Sequence, residues 1–95
     1  MNKYEITFIV KPDLEESEIE KQANEMKKIL TDKKAKVIEE KALGQKELAY
    51  EIEKYKTGYY FFYVVEANND AIAEFDRLAK INEKLLRNLV IKVEE

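Results

Sequence analysis

Most chemistry at neutral pH runs through imidazole or thiolate, and this 95-residue chain has no His and no Cys. Disulfides, zinc centres, Ser/His and Cys/His relays and the ordinary proton shuttle are excluded together. Carboxylates remain, and Glu39-Glu40, Glu51 and Glu53 are closely spaced. They stand among lysines with no neighbour that would lift a carboxyl pKa into the working range of a general acid, so they read as surface charge. The two glycines, Gly44 and Gly58, belong to neither a GxGxxG nor a GxxxxGK[ST] pattern, which removes phosphate-cradling loops and nucleotide hydrolysis. No catalytic residue, metal ligand or cofactor is expected, and the chain reads as a non-enzymatic binding module.

What is left for binding is charge and aromatic surface. A net charge of -3 opposes the capture of nucleic acid by overall field, because phosphate neutralisation needs a local Lys/Arg excess or a basic partner. Lys27, Lys28, Lys33, Lys34 and Lys36 cluster where a predicted helix ends, and cations there suit the helix dipole, so solvated surface is the simpler reading. A sparser set, Lys46, Lys54 and Lys56 with Arg87 and Lys92, is spaced to touch separate phosphates. The run Lys56-Thr57-Gly58-Tyr59-Tyr60-Phe61-Phe62-Tyr63 resembles the strand signature of RNA-recognition motifs, which stack bases on aromatics. It departs at Tyr60, where that signature wants Gly or Ala. Its stacking positions would be Tyr59 and Phe61, which strand parity turns toward the core.

The elements that must position these residues follow from periodicity. From Lys3 to Val10 the chain alternates, with Tyr4, Ile6, Phe8 and Val10 on one side, predicting a strand with one apolar face. Pro12 ends it, and Asp13 is the expected N-cap of a helix over Leu14 to Asp32 whose stripe is Ile19, Ala23, Met26 and Leu30. Lys36 to Ile52 reads as a long strand with a bulge or strong twist at Gly44, reaching beyond the sheet. A turn over Glu53 to Gly58 leads into Tyr59 to Val65, a β-branched and aromatic central strand. A second helix capped by Asp70 runs through Ile72, Phe75, Leu78 and Ala79, and a last strand covers Leu85 to Val93.

The order βαββαβ with right-handed crossovers predicts an α+β, ferredoxin-like fold: a four-stranded antiparallel sheet with two helices on one face, one domain over residues 1–95. Ile9, Tyr60, Phe62, Val64, Leu89 and Ile91 then lie on the uncovered face, too apolar a set for bare solvent, and a protein partner is expected there. The N-terminus lacks a basic-then-apolar leader pattern and no apolar run approaches the ~20 residues of a membrane span, so a cytoplasmic protein without membrane contact is expected. Two rivals stay open on the residues alone. One is a ligand-sensing regulatory domain that dimerises through its sheet, and the other a freestanding single-strand RNA binder that stacks bases on Tyr60 and Phe62.

At Gly44-Gln45-Lys46-Glu47-Leu48-Ala49-Tyr50-Glu51-Ile52-Glu53-Lys54, followed by Gly58-Tyr59-Tyr60, the chain resembles the bacterial small-subunit ribosomal protein six family. That family's pattern is a glycine, basic positions, Leu-Ala-Tyr-Pro-Ile, a Lys, and then Gly with aromatics in the next strand. Tyr4-Glu5 before alternating apolar residues, Pro12 with Leu14, and Leu86-Arg87-Asn88-Leu89-Val90-Ile91-Lys92 extend the resemblance over the whole chain. Glu51 replaces the usual proline, which should change local strand stiffness only, and Glu47 replaces a common basic residue, so an RNA-contact role of the arm rests more on Lys46 and Lys54. The chain ends at Glu94-Glu95, so contacts that relatives make through a longer tail are not expected. The resemblance implies a structural ribosomal protein that binds the central domain of small-subunit rRNA with the basic ribosomal protein eighteen, a monomer when free and a heterodimer with that partner. It implies RNA contacts at Lys3, Lys46, Tyr50, Lys54, Lys56, Arg87 and Lys92.

Overall fold

Alternation along the first strand decides which side of the sheet is inside, and the computed structural model, which describes residues 1–93, places Tyr4, Ile6, Phe8 and Val10 all in the core. The elements are β1 (Asn2–Val10), α1 (Glu16–Asp32), β2 (Lys36–Ile52), β3 (Tyr55–Ala67), α2 (Asn69–Ile81) and β4 (Leu85–Lys92). Glu94-Glu95, on which the expectation about the tail turned, lie outside the described residues. The strands form one sheet in the order β2-β3-β1-β4, with every neighbouring pair antiparallel. The expected ferredoxin-like βαββαβ architecture is thus the observed one. No described helix is long and apolar enough to cross a membrane.

Both helices pack on the same sheet face. Ile19, Ala23, Met26 and Leu30 of α1 and Ala71, Phe75 and Ala79 of α2 join Phe61, Tyr63 and Val65 of β3 in one buried cluster with the inward side of β1. Each fully buried large side chain in that cluster contributes about 1.5–3 kcal/mol. Aromatic packing is densest at Phe8, which stacks on Phe61 at 5.2 Å and meets Tyr63 and Phe75 edge-on at 5.4 and 6.3 Å. Hydroxyls at the margin tie sheet to helices: Tyr63 donates to the Ala23 carbonyl at 3.3 Å and Tyr4 to Asn69 Oδ1 at 2.9 Å.

Several boundaries differ from the spacing-based ones, each for a local polar reason. Asn68 caps α2, its side chain accepting from the Ala71 N–H at 3.0 Å, and Asp70 falls in the first turn instead. Asp13 does not cap α1, which starts after Glu15 without a side-chain cap; its carboxylate accepts a hydrogen bond from the Tyr55 hydroxyl at 2.7 Å. Two members of the basic cluster finish α1. Lys34 takes a left-handed conformation (φ 65) while the amides of Lys33, Lys34 and Ala35 close onto the carbonyls of Leu30 and Thr31, a helix stop more often built with glycine.

The bulge expected at Gly44 is present, with φ 84 and a register shift between Ala42 and Gly44. The turn, by contrast, is only Glu53-Lys54, both at positive φ, and β3 starts at Tyr55. This is the two-residue hairpin geometry that matches strand twist. Gly58 therefore lies inside the strand, where it is required by packing: a Cβ there would stand 2.3 Å from Ile9 Cγ2.

Gly58→Ala is expected to lower stability by about 1–3 kcal/mol, measured by chemical denaturation. In a double-mutant cycle with Ile9→Ala the two losses should be less than additive; strict additivity would show that Ile9 is not what excludes the methyl. Burial, with the Glu40 carboxylate nearby, lifts the Tyr63 hydroxyl from the ordinary 10.0 to about 12. The unfolded chain then loses that proton first, so this contribution is intact below pH 10.0 and fades as pH rises toward about 12. Spectrophotometric titration should show a tyrosine component ionising at about 12, and Tyr63→Phe should remove it.

Candidate functional site

Strand register arranges the outer face of the sheet into rows, because residues directly opposite across antiparallel strands share a face. From β2 to β4 the rows read Gly44, Tyr60, Ile9, Arg87, then Lys41, Phe62, Thr7, Leu89, then Glu39, Val64, Glu5, Ile91. The apolar residues of the last two rows and Tyr60 stay accessible: Leu89 is 56% and Ile91 50% exposed, and Tyr60, Phe62 and Val64 are half-buried. No helix covers this side, since α1 and α2 both contribute to the cluster behind it.

Ile9 is the exception among the expected partner-facing residues. It points to the outer face but is only 7% exposed and does not belong to the main core cluster. The space above Gly58, which has no side chain to hold Ile9 off, is what its Cγ2 fills. With Thr7, Tyr60, Arg87 and Leu89 it lines a groove of about 380 Å3, forming part of the wall rather than a projecting contact.

The expected RNA-contact residues divide into two groups. Lys3 and Lys92 lie at one end of the sheet, where Lys3 is opposite Glu66, Lys92 is opposite Tyr4, and the Val93 amide donates to the Lys3 carbonyl. Register places Lys92 on the helix side with Tyr4, away from Leu89 and Ile91. Lys46, Tyr50, Lys54, Lys56 and Arg87 gather at the other end. There β2 and β3 continue as a two-stranded arm past the last β1 pair, Val10 with Tyr59, through Lys46 with Gly58 to Ile52 with Tyr55.

The arm is anchored at Tyr55, a residue outside the family pattern read from the sequence. Tyr55, at the start of β3, donates its hydroxyl to Asp13 in the loop before α1, and Lys11 Nζ lies 5.8 Å from its ring centroid. The acceptor carboxylate beside it pushes the Tyr55 hydroxyl pKa upward. On the other flank the Arg87 guanidinium sits 5.2 Å over the Tyr50 ring. These contacts join residues of β2, β3 and β4 with the β1–α1 loop, and they border a cleft of about 520 Å3 whose lining includes Lys11, Glu53 and Arg87.

Other charged groups are engaged in holding the fold. Lys27 pairs with Glu40 at 2.9 Å and the backbone of Lys33 and Lys34 ends α1, whereas the side chains of Lys28, Lys33, Lys34 and Lys36 are exposed. Lys84 pairs with Glu18, which also accepts from the buried Gln22 and is held below its ordinary pKa by both. Lys80 and Asn88 similarly hold Asp76 below the usual carboxylate value. Phe61 is buried and Tyr59 packs against the core, so the positions that stack bases in RNA-recognition motifs face inward here, as parity required. Among the described residues no group of acidic side chains could hold a metal ion.

Comparison with known proteins places these features in context. The family described as Ribosomal protein S6 matches residues 3–92. The chain is 45% identical over 95 residues to small ribosomal subunit protein bS6 of Shouchella clausii, covering all of both chains. It is 37% identical over 92 residues to bS6 of Phytoplasma australiense, covering 97% of this chain and 99% of that one. The crystal structure of 30S ribosomal protein S6 from Thermotoga maritima superposes with a TM-score of 0.92 at 25% identity, covering 97% of this chain and 87% of the other.

Tyr55→Phe deletes the hydroxyl that holds the arm to Asp13 and should loosen the arm while leaving the rest of the sheet intact. Hydrogen exchange should quicken at arm amides near Tyr55 and remain slow along the β1–β3 pairing. Uniform acceleration across the sheet would mean that the bond supports the whole fold instead of the arm.

Proposed function

The chain belongs to the ribosomal protein S6 family and is a structural protein of the small ribosomal subunit; we propose that it binds the central domain of small-subunit rRNA jointly with a basic partner, ribosomal protein eighteen, during assembly. The observation that carries this reading is the uncovered sheet face, on which Leu89 and Ile91 are half exposed beside Tyr60, Phe62 and Val64 in a chain of net charge -3. Such a face suits a protein partner, because an apolar patch ringed by charges gains by burial against another surface. The net charge suits a partner that is basic, since phosphate contacts are then supplied mainly by that partner.

In this reading Tyr60, Phe62, Val64, Leu89 and Ile91 receive the partner, with Ile9 supporting them from below. Lys46, Tyr50, Lys54, Lys56 and Arg87 contact RNA at the arm end, while Lys3 and Lys92 meet RNA separately at the far end or not at all. The free protein is a monomer, the functional unit a heterodimer, and the location the cytoplasmic ribosome. No step is catalytic; the contribution is coupled binding, in which the partner supplies charge and this chain supplies shape.

Titration of a central-domain rRNA fragment should show weak binding by the protein alone and tight, salt-dependent binding with the partner present. Equal affinity with and without partner would overturn coupled binding. Leu89→Ser with Ile91→Ser should weaken the protein–protein affinity by about tenfold or more and change thermal stability little, since both side chains are already half exposed. Unchanged association, measured by calorimetry, would move the partner to another surface.

A further inference from the structure

Tyr50 and Arg87 stand on opposite edge strands of the sheet, β2 and β4, yet the guanidinium lies 5.2 Å over the ring. The chain has two arginines, and Arg77 is held by Glu74 at 2.6 Å, whereas Arg87 has no carboxylate partner among the described residues. Tyr50 is 57% exposed and its hydroxyl makes no hydrogen bond among the described residues. A structural pin would bury at least one of the two.

The pair is held in a prepared position. Tyr55 bonded to Asp13 fixes the same arm from its other strand, and Arg87 borders the cleft of about 520 Å3 that Lys11 and Glu53 also line. A guanidinium lying over an aromatic ring keeps its N–H edge free for phosphate, and the face of the tyrosine ring turned away from the guanidinium accepts any nucleobase. Anchoring the arm beforehand lowers the ordering cost of binding.

We infer that Tyr50 and Arg87 form a clamp for one unpaired RNA nucleotide, with Tyr50 stacking the base and Arg87 holding the adjoining phosphate. This rests on the rRNA-binding reading above and adds the type of contact: base-tolerant stacking at the arm, distinct from the inward-facing β3 aromatics.

The test uses the full chain with its basic partner on the central-domain rRNA fragment. Tyr50→Phe keeps wild-type affinity, and Tyr50→Leu weakens binding on the order of tenfold with the salt slope unchanged. Arg87→Ala lowers that slope by about one. RNA substituted with photoreactive thiouridine cross-links to the Tyr50 peptide, a result that a merely structural side chain would not produce. If Tyr50→Leu binds like wild type without a cross-link, while Lys46→Ala with Lys54→Ala weakens binding, the clamp is overturned and the rRNA reading stands. A loss seen only in affinity for the protein partner, measured without RNA, also overturns the clamp. Failure of the wild-type complex to bind overturns both.

Discussion

The ring of Phe8 is enclosed from three directions, by Phe61 and Tyr63 of the neighbouring strand and by Phe75 of α2. That packing fixes the register of β1 against β3, and because β1 lies between β3 and β4 its inward parity constrains the pairing with β4 as well. Slipping either by one residue would turn a whole hydrophobic set outward, so the aromatic contact at Phe8 specifies the alignment on which everything outside depends. The rows of the outer face are the reverse side of that alignment. Phe62 is opposite Thr7 and Leu89, and Val64 is opposite Glu5 and Ile91, for the same reason that Phe61 stacks on Phe8.

Two helices on one face leave a four-stranded sheet with an apolar side that no described helix covers. The helices are occupied: their apolar stripes are spent on the inner cluster, and their outer surfaces carry charge. An outer face holding Leu89 and Ile91 at about half exposure is therefore a standing incentive for association. Its rim carries both Glu39 and Lys41, themselves paired at 3.2 Å, which keeps the patch soluble without covering it.

The arm obeys a different logic. Beyond Val10 the β2–β3 hairpin has no third strand beside it, and an isolated two-stranded hairpin is marginally stable in water. Here one side-chain anchor, Tyr55 to Asp13, steadies the arm, while Tyr50 and Arg87 meet as an exposed pair on its other flank. Residues capable of meeting RNA are thus concentrated where the backbone is least supported and the side chains most constrained.

Periodicity alone determined the order of elements, the inward set Tyr4, Ile6, Phe8 and Val10, and the α1 stripe, because burial of one face imposes periods of two and 3.6 that survive in any single sequence. It also determined that Phe61 points inward and Leu89 and Ile91 outward, since parity is local. Boundaries set by individual hydrogen bonds were less legible: Asn68 and Asp70 are both good caps, and only the finished helix shows which one meets the Ala71 amide. Gly58 reads as a turn residue from its type, but its reason is Ile9, a residue far away in the chain that occupies the place of its missing side chain. The meeting of Tyr50 with Arg87 was decided by tertiary structure alone. It requires the twist of the sheet to carry one edge toward the other, and twist accumulates over all four strands and leaves no pattern in any one of them.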